Sequence, residues 1–208
     1  LDAVNSGVSG GLLVVSEPLA GKSHFVETLI QTINPPRVIR ISSPLNGVSK
    51  KTTLLGAFRE ATGIEGSYFN IMNQLQEGTV FTFYKLERWW IRKSGGERFI
   101  DELVGIIEKY GRQHKFVMAM NIFAYDLVRQ VSKLDSILSS TILLPPANAH
   151  EMAEIMFDRH KIAGVRIQFS ERKDLEISKR DVLSRFDKIA QGAKGNIGVT
   201  MLRWLSSI

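Results

Sequence analysis

The chain has 208 residues, 44% hydrophobic and 23% charged, which suits one domain, or one domain with a small appendage, and is too apolar for intrinsic disorder. It contains no cysteine, which excludes disulfides, thiolate metal sites and cysteine nucleophiles and agrees with a reducing cytosol. A balance of 27 basic against 21 acidic residues leaves a net charge of +6, a weak pointer to polyanions such as nucleotide, nucleic acid or anionic lipid.

Strands and helices alternate over the first two thirds of the chain. Gly11 to Ser16 is a short apolar run, as expected of a parallel strand covered on both faces. From Gly21 to Ile33, residues Phe25, Val26, Leu29, Ile30 and Ile33 form one helical stripe, ended by Asn34-Pro35-Pro36. Val38 to Ile41 predicts a second strand, followed by a turn at Ser43 to Gly47 and a helix carrying Leu54, Leu55, Phe58 and Ala61. Thr79 to Tyr84 is the third strand, a helix runs from Phe99 through Tyr110, and Lys115 to Met120 is the fourth strand. Leu127, Val128, Val131 and Leu134 mark one more helix, and Ser140 to Leu144 a fifth strand stopped by Pro145-Pro146. Strands separated by helices, without hairpin signals, predict an α/β fold built on a parallel five-stranded sheet with helices on both faces.

After Pro146 the pattern becomes helical. Asn148 and Glu151 form a capping box ahead of Met152, Ile155, Met156 and Ile162. Ser178 and Asp181 open a helix with Val182, Leu183, Phe186 and Ile189, and Ile197, Met201, Trp204, Leu205 and Ile208 space a third. The stretch from Val165 to Ile177 is expected to be a short strand or a loop. The expected division is therefore an α/β domain over 1–146 and a helical lid subdomain over 147–208. No apolar run approaches the ~20 residues that cross a bilayer, and no signal peptide opens the chain. A cytoplasmic location is expected, with an anchor elsewhere in a longer protein left open. The first residue, Leu1, suggests a piece of such a protein.

Ser16-Glu17-Pro18-Leu19-Ala20-Gly21-Lys22-Ser23 matches G-x-x-x-x-G-K-[ST] except at the first position, where Ser replaces Gly. The context is the one the chemistry needs, an apolar strand before and an amphipathic helix after. Backbone N–H groups of such a loop, continued by the helix N-terminus at Ser23 and His24, make an anion nest for phosphates. Lys22 is expected to reach the β- and γ-phosphates and the Ser23 hydroxyl to bind Mg²⁺, with ATP or ADP as the ligand. Ser16 adds a β-carbon that narrows the nest, and Pro18 removes one donor N–H.

With these residues the chain resembles the AAA+ class of P-loop ATPases over most of its length. In that class the third strand ends in an acidic pair that holds the metal shell and polarises water. Here those positions are Tyr84 and Lys85, and neither can do that work. Glu87, two residues on, replaces them only if the register shifts. The resemblance makes Asn121, at the end of the fourth strand, a sensor of the γ-phosphate or attacking water, although asparagine there also caps a helix. Gly195-Asn196-Ile197-Gly198 resembles the start of the second sensor helix with Gly198 near the place of its usual arginine, Arg203 lying further along. Arg129 is a candidate trans-acting arginine, against the plainer reading of a solvated helix residue.

Arg88-Trp89-Trp90-Ile91-Arg92-Lys93 mixes cations and aromatics, either to stack nucleobases or to pack a loop onto the sheet, the reading favoured here. Ser94 to Gly96 is expected to be a flexible tip. His150-Glu151 lacks the second histidine of a zinc helix, and His24, His114 and His160 are expected at the surface. The expected function is an ATP- or ADP-binding module with weak or no hydrolysis, acting in regulation or assembly within a larger polypeptide and through self-association. The alternatives are an active ATPase using Glu87, a nucleic-acid-binding module, and a structural domain that has lost nucleotide.

Overall fold

The computed structural model describes residues 10–44, 48, 52–91, 95–164 and 179–206. Expectations for Val165 to Ser178, for the turn at Leu45 to Gly47 and for Arg92 to Ser94 lie outside these residues, as do the side chains of His160, Asp181, Val182 and Leu183.

Two compact units result. The first contains residues up to Pro18 and Lys22–Leu144, and the second contains Pro145–Ile208 together with Leu19–Gly21.

The first unit is a five-stranded parallel sheet in the order β2-β3-β4-β1-β5. Its strands are β1 (Gly11–Ser16), β2 (Val38–Arg40), β3 (Val80–Phe83), β4 (Lys115–Asn121) and β5 (Leu138–Leu143). The helices of this unit are α1 (Lys22–Ile33), α2 (Leu54–Thr62), α3 (Tyr68–Gln74), α4 (Arg98–Tyr110) and α5 (Ile122–Val131), with 3-10 turns at Leu86–Trp89 and Leu134–Ile137. Every residue of β1 is buried, because β4 and β5 flank it and helices cover both its faces. Alternation of side chains then splits the strands between two cores. Leu13, Val15, Phe81, Phe83, Phe116, Met118 and Met120 face the larger core with α2, α3, α4 and α5. Leu12, Val14, Val80, Val117 and Ala119 face the smaller one with Val26 and Ile30 of α1.

Differences from the sequence expectation are local. Helix α3 was not anticipated, although Ser67 caps it by accepting the Asn70 N–H and Ile71 and Met72 bury its inner side. β5 starts two residues before the expected Ser140, since Leu138 pairs with Gly11 across a bulge. The polar Ser139 and Ser140 hide that start, and an edge strand, exposed on one side, tolerates them.

In the second unit lie α6 (Ala149–Ala163), α7 (Lys179–Gly192) and α8 (Ile197–Leu205). The capping box is formed in both directions: Glu151 N–H donates to Asn148 Oδ1 at 2.9 Å, and Asn148 N–H donates to Glu151 Oε2 at 2.8 Å. Ala153, Met156, Phe186 and Trp204 make the core, the last two stacked with ring centroids 4.2 Å apart. Among the described residues no helix is long and apolar enough to cross a membrane.

His114 is a correction, for it is fully buried rather than at the surface. Its Nε2 lies 2.9 Å from the Met72 carbonyl oxygen and its ring meets Phe81 edge-on. Nδ1 is buried without a hydrogen-bond partner among the described residues. The polar string Arg112-Gln113-His114-Lys115 looks like a surface turn, and only the packing of α3 above the sheet covers the imidazole.

Burial pushes the His114 pKa below its ordinary value, against smaller opposing effects of the Met72 carbonyl and Glu77. The unfolded chain therefore takes up a proton near the ordinary imidazole value of ~6.5 while the folded chain does not. We expect stability to be flat in this respect above that value and to drain as pH falls below it. Urea unfolding of wild type and His114→Gln between about pH 8 and pH 5 checks this, the variant losing that part of the pH slope. Parallel slopes in the two proteins would contradict a buried neutral imidazole.

Candidate functional site

The end of β1 sets the geometry of the phosphate-loop candidate. Ser16 is buried and lies level with Asn121 of the adjacent β4. The chain then leaves the sheet through the exposed Glu17, Pro18 and Leu19, and α1 begins at Lys22. Leu19 has φ 66° and Gly21 φ 91°. Left-handed residues interleaved with ordinary ones turn successive N–H groups to one side, which is the geometry of an anion nest. Ser23 and His24 are exposed in the first turn of α1, which carries no acidic side chain of its own to offset the positive end of the helix.

Lys22 folds back over its own loop. Its Nζ donates to the Glu17 carbonyl oxygen at 2.7 Å, to the Ser16 carbonyl oxygen at 3.2 Å and to Ser16 Oγ at 3.2 Å. The Ser16 hydroxyl donates in turn to the Glu17 carbonyl. Serine at the first position is thus accommodated with its side chain inward, as one of the oxygens that hold the ammonium. Burial lowers the Lys22 pKa, and the negative charge of Glu87 acts in the opposite direction.

Tyr84 and Lys85 follow β3 directly, where the acidic pair was sought. Tyr84 packs on the α1 face of the sheet, and its hydroxyl donates to Glu27 Oε1 at 2.5 Å. Arg40 donates to the same carboxylate from Nε at 3.2 Å and from its terminal nitrogen at 2.9 Å. Burial raises the Tyr84 pKa and the bond to Glu27 adds to it, so the phenol stays protonated. Glu27 escaped the sequence reading, and its only signal was a carboxylate one helical turn after Ser23, on the same side of α1. Lys85 is exposed.

Glu87 sits on the 3-10 turn after β3. Its Oε2 is buried and has no hydrogen-bond partner among the described residues. The strand register explains why this residue and not an earlier one acts on Lys22. Phe83 pairs with Met118, whereas Ser16 pairs with Asn121, so β3 stops short of the level of the loop and its continuation must bridge the gap.

Asn121 Oδ1 accepts the Ala124 N–H at 2.9 Å and caps α5, which leaves its amide N–H groups to turn to a ligand. Arg129 is half exposed, 3.7 Å from Asp126 and 5.7 Å from the Tyr125 ring, as a solvated helix arginine would be. Trp89 is buried against Phe99 and Trp90 half-buried against the larger core, so the pair packs the loop and Trp89 offers no face to a base. His150 is an exposed neighbour of Glu154. Among the described residues no three carboxylates or histidines cluster to hold a metal by themselves.

No protein-family model matches the chain, and no curated protein matches it by sequence. Solved structures do. The ORC2 protein of Aeropyrum pernix, in ADPNP–ADP complexes, superposes with a TM-score of 0.63 at 12% identity, over 96% of this chain and 56% of that one. The ORC1 protein of Aeropyrum pernix, in complex with DNA, gives 0.58 at 14% identity over 96% and 53%. A RuvB mutant of Thermotoga maritima gives 0.57 at 14% identity over 95% and 54%. The chain thus spans about half the length of these proteins. At such low identity the likeness establishes architecture alone, an α/β fold on a five-stranded parallel sheet.

Proposed function

We propose that this chain is a nucleotide-binding module that takes ATP or ADP on the Ser16–His24 loop and hydrolyses it slowly, using occupancy to set geometry or assembly. The observation that carries the reading is Lys22, whose half-buried ammonium is held on loop oxygens beside two left-handed loop residues and a helix N-terminus with no acidic side chain in its first turn. Phosphate oxygens can replace the loop carbonyls as acceptors for that ammonium and take the N–H groups of the nest. The ORC2 protein, solved in ADPNP–ADP complexes, supports the same ligand class. Self-association and a place in a larger polypeptide belong to this proposal as well.

Mg²⁺ fits the site in the restricted way of phosphate sites, where the ion is held chiefly by phosphate oxygens and water. The Ser23 hydroxyl would hold it, with the Glu87 oxygen that has no partner among the described residues as the candidate carboxylate. When bound, the ion would neutralise phosphate charge. Slow hydrolysis follows from the position of Tyr84, a protonated phenol engaged by Glu27, beside the cationic Lys85, since neither accepts a proton from water. Asn121 can still orient a phosphate oxygen or a water through its amide.

A second reading, an active ATPase, is favoured by Glu87, whose buried oxygen has no partner among the described residues and whose charge acts on Lys22. Burial of Trp89 takes away one of the two tryptophans on which the nucleic-acid reading drew.

Lys22→Ala should weaken ATP affinity, measured by calorimetry, by at least about tenfold, because it removes the cation facing the phosphates. No affinity in either protein would leave a structural domain. Glu87→Gln removes a charge that favours the ammonium, so the Lys22 pKa, followed by NMR, should fall further below its ordinary value. An unchanged value would separate the two groups. Phosphate release should stay far below the ~10 s⁻¹ median of enzymes. A turnover near ~1 s⁻¹ that vanished in Glu87→Gln would establish the second reading instead.

A further inference from the structure

Leu19 is held in a conformation its side chain does not favour. Its φ of 66° is left-handed, and its side chain is 60% exposed, so packing does not fix it there. The two other described non-glycine residues with positive φ, Asn34 and Lys194, both follow helix ends, where a left-handed residue is the usual terminator. Leu19 has no such reason. In the second unit, Gly198 N–H donates to the Leu19 carbonyl oxygen at 3.0 Å. Gly198 lies in the first turn of α8, where N–H groups have no partner inside the helix. The Asn196 side chain caps the Val199 N–H. The Gly198 N–H goes to Leu19.

The contact is backbone against backbone. A β-carbon at Gly198 would lie 2.5 Å from Leu19 Cβ and 2.7 Å from its carbonyl oxygen, closer than real atoms approach. Gly198 itself has no positive φ, so glycine is required there by the approach and not by conformation. On the neighbouring loop residue, a β-carbon at Gly21 would meet Ile197 Cδ1 at 3.8 Å, so the first turn of α8 abuts both ends of Leu19–Gly21.

We propose that Gly198 is a positioning residue of the phosphate loop, its N–H holding Leu19 in the left-handed conformation that turns the loop's N–H groups onto an anion. The proposal rests on the reading of this loop as a nucleotide site. It assigns α8 a role through the backbone, at the position where a side chain reaching for phosphate was sought. A larger residue at 198 cannot keep the contact.

Three variants of the full chain test it: Gly198→Ala, Leu19→Val, and Gly198→Ala combined with Leu19→Gly. Amide hydrogen exchange of residues 19–21 in nucleotide-free protein and calorimetric ATP affinity are the readouts. Gly198→Ala should speed exchange and weaken ATP by about tenfold, the scale of one lost left-handed constraint. Adding Leu19→Gly should return both toward wild type, because glycine takes the left-handed conformation without help. Leu19→Val attacks the same conformation at an exposed side chain, so it decides the matter even if Gly198→Ala does not fold. It should act as Gly198→Ala does. Wild-type behaviour of Gly198→Ala or Leu19→Val, or no rescue by Leu19→Gly, overturns the proposal. Wild type that fails to bind ATP refutes the nucleotide reading alone, since the exchange arm still reports on Gly198.

Discussion

A loop can present bare backbone N–H groups to an anion only if its anchor does not move, and here that anchor is β1. The strand is buried along its whole length and paired on both sides, by β4 over Gly11–Ser16 and by β5 over Gly11–Val15. Its end is therefore among the best fixed points of the first unit. Ser16, the last residue of that strand, is also where Lys22 returns, so the ammonium is tied to the most rigid part of the loop. A charge held on carbonyl oxygens is stabilised without being neutralised, and it remains able to exchange those oxygens for others.

The acidic side of the site is arranged differently from what the strand pattern suggests. Tyr84 sends its hydroxyl to Glu27 of α1, and Arg40 closes the pair from β2, so three elements meet around one half-exposed carboxylate. That cluster links β2 and β3 to α1. Each bond there is partly exposed, and such pairs contribute little individually, typically ~0–1 kcal/mol. Glu87, by contrast, has a buried oxygen with no donor among the described residues, a costly arrangement unless a cation is close. The negative charge of Glu87 in turn raises the Lys22 pKa, against the larger lowering by burial.

The two cores of the sheet divide the labour. The larger one, with its phenylalanines and four helices, supplies most of the apolar burial, the dominant stabilising term. The smaller one contains little more than α1 and the strand residues beneath it, yet it carries the helix whose first turn lies at the loop. Burying His114 in the larger core shows how a polar group can be drawn inside by neighbours distant in the chain. It meets the Met72 carbonyl and Phe81, neither of which is near it in sequence.

The sequence by itself determined the parallel sheet, the order in which strands and helices follow, and the loop motif. These are local patterns: apolar runs, a helical stripe beginning at Lys22, proline stops and a capping box that forms as written. A short helix such as α3 and the polar start of β5 escaped, because seven residues show too little periodicity and an edge strand needs no apolar alternation. Only the tertiary structure decided which groups the carboxylates meet. The partnership of Tyr84 with Glu27 spans 57 positions, and the level of Glu87 depends on where β3 ends against β4. The same holds for Gly198, which in sequence is merely a missing arginine. Its meaning depends on a backbone carbonyl nearly 180 residues away, and backbone geometry of that kind leaves no trace in the order of side chains.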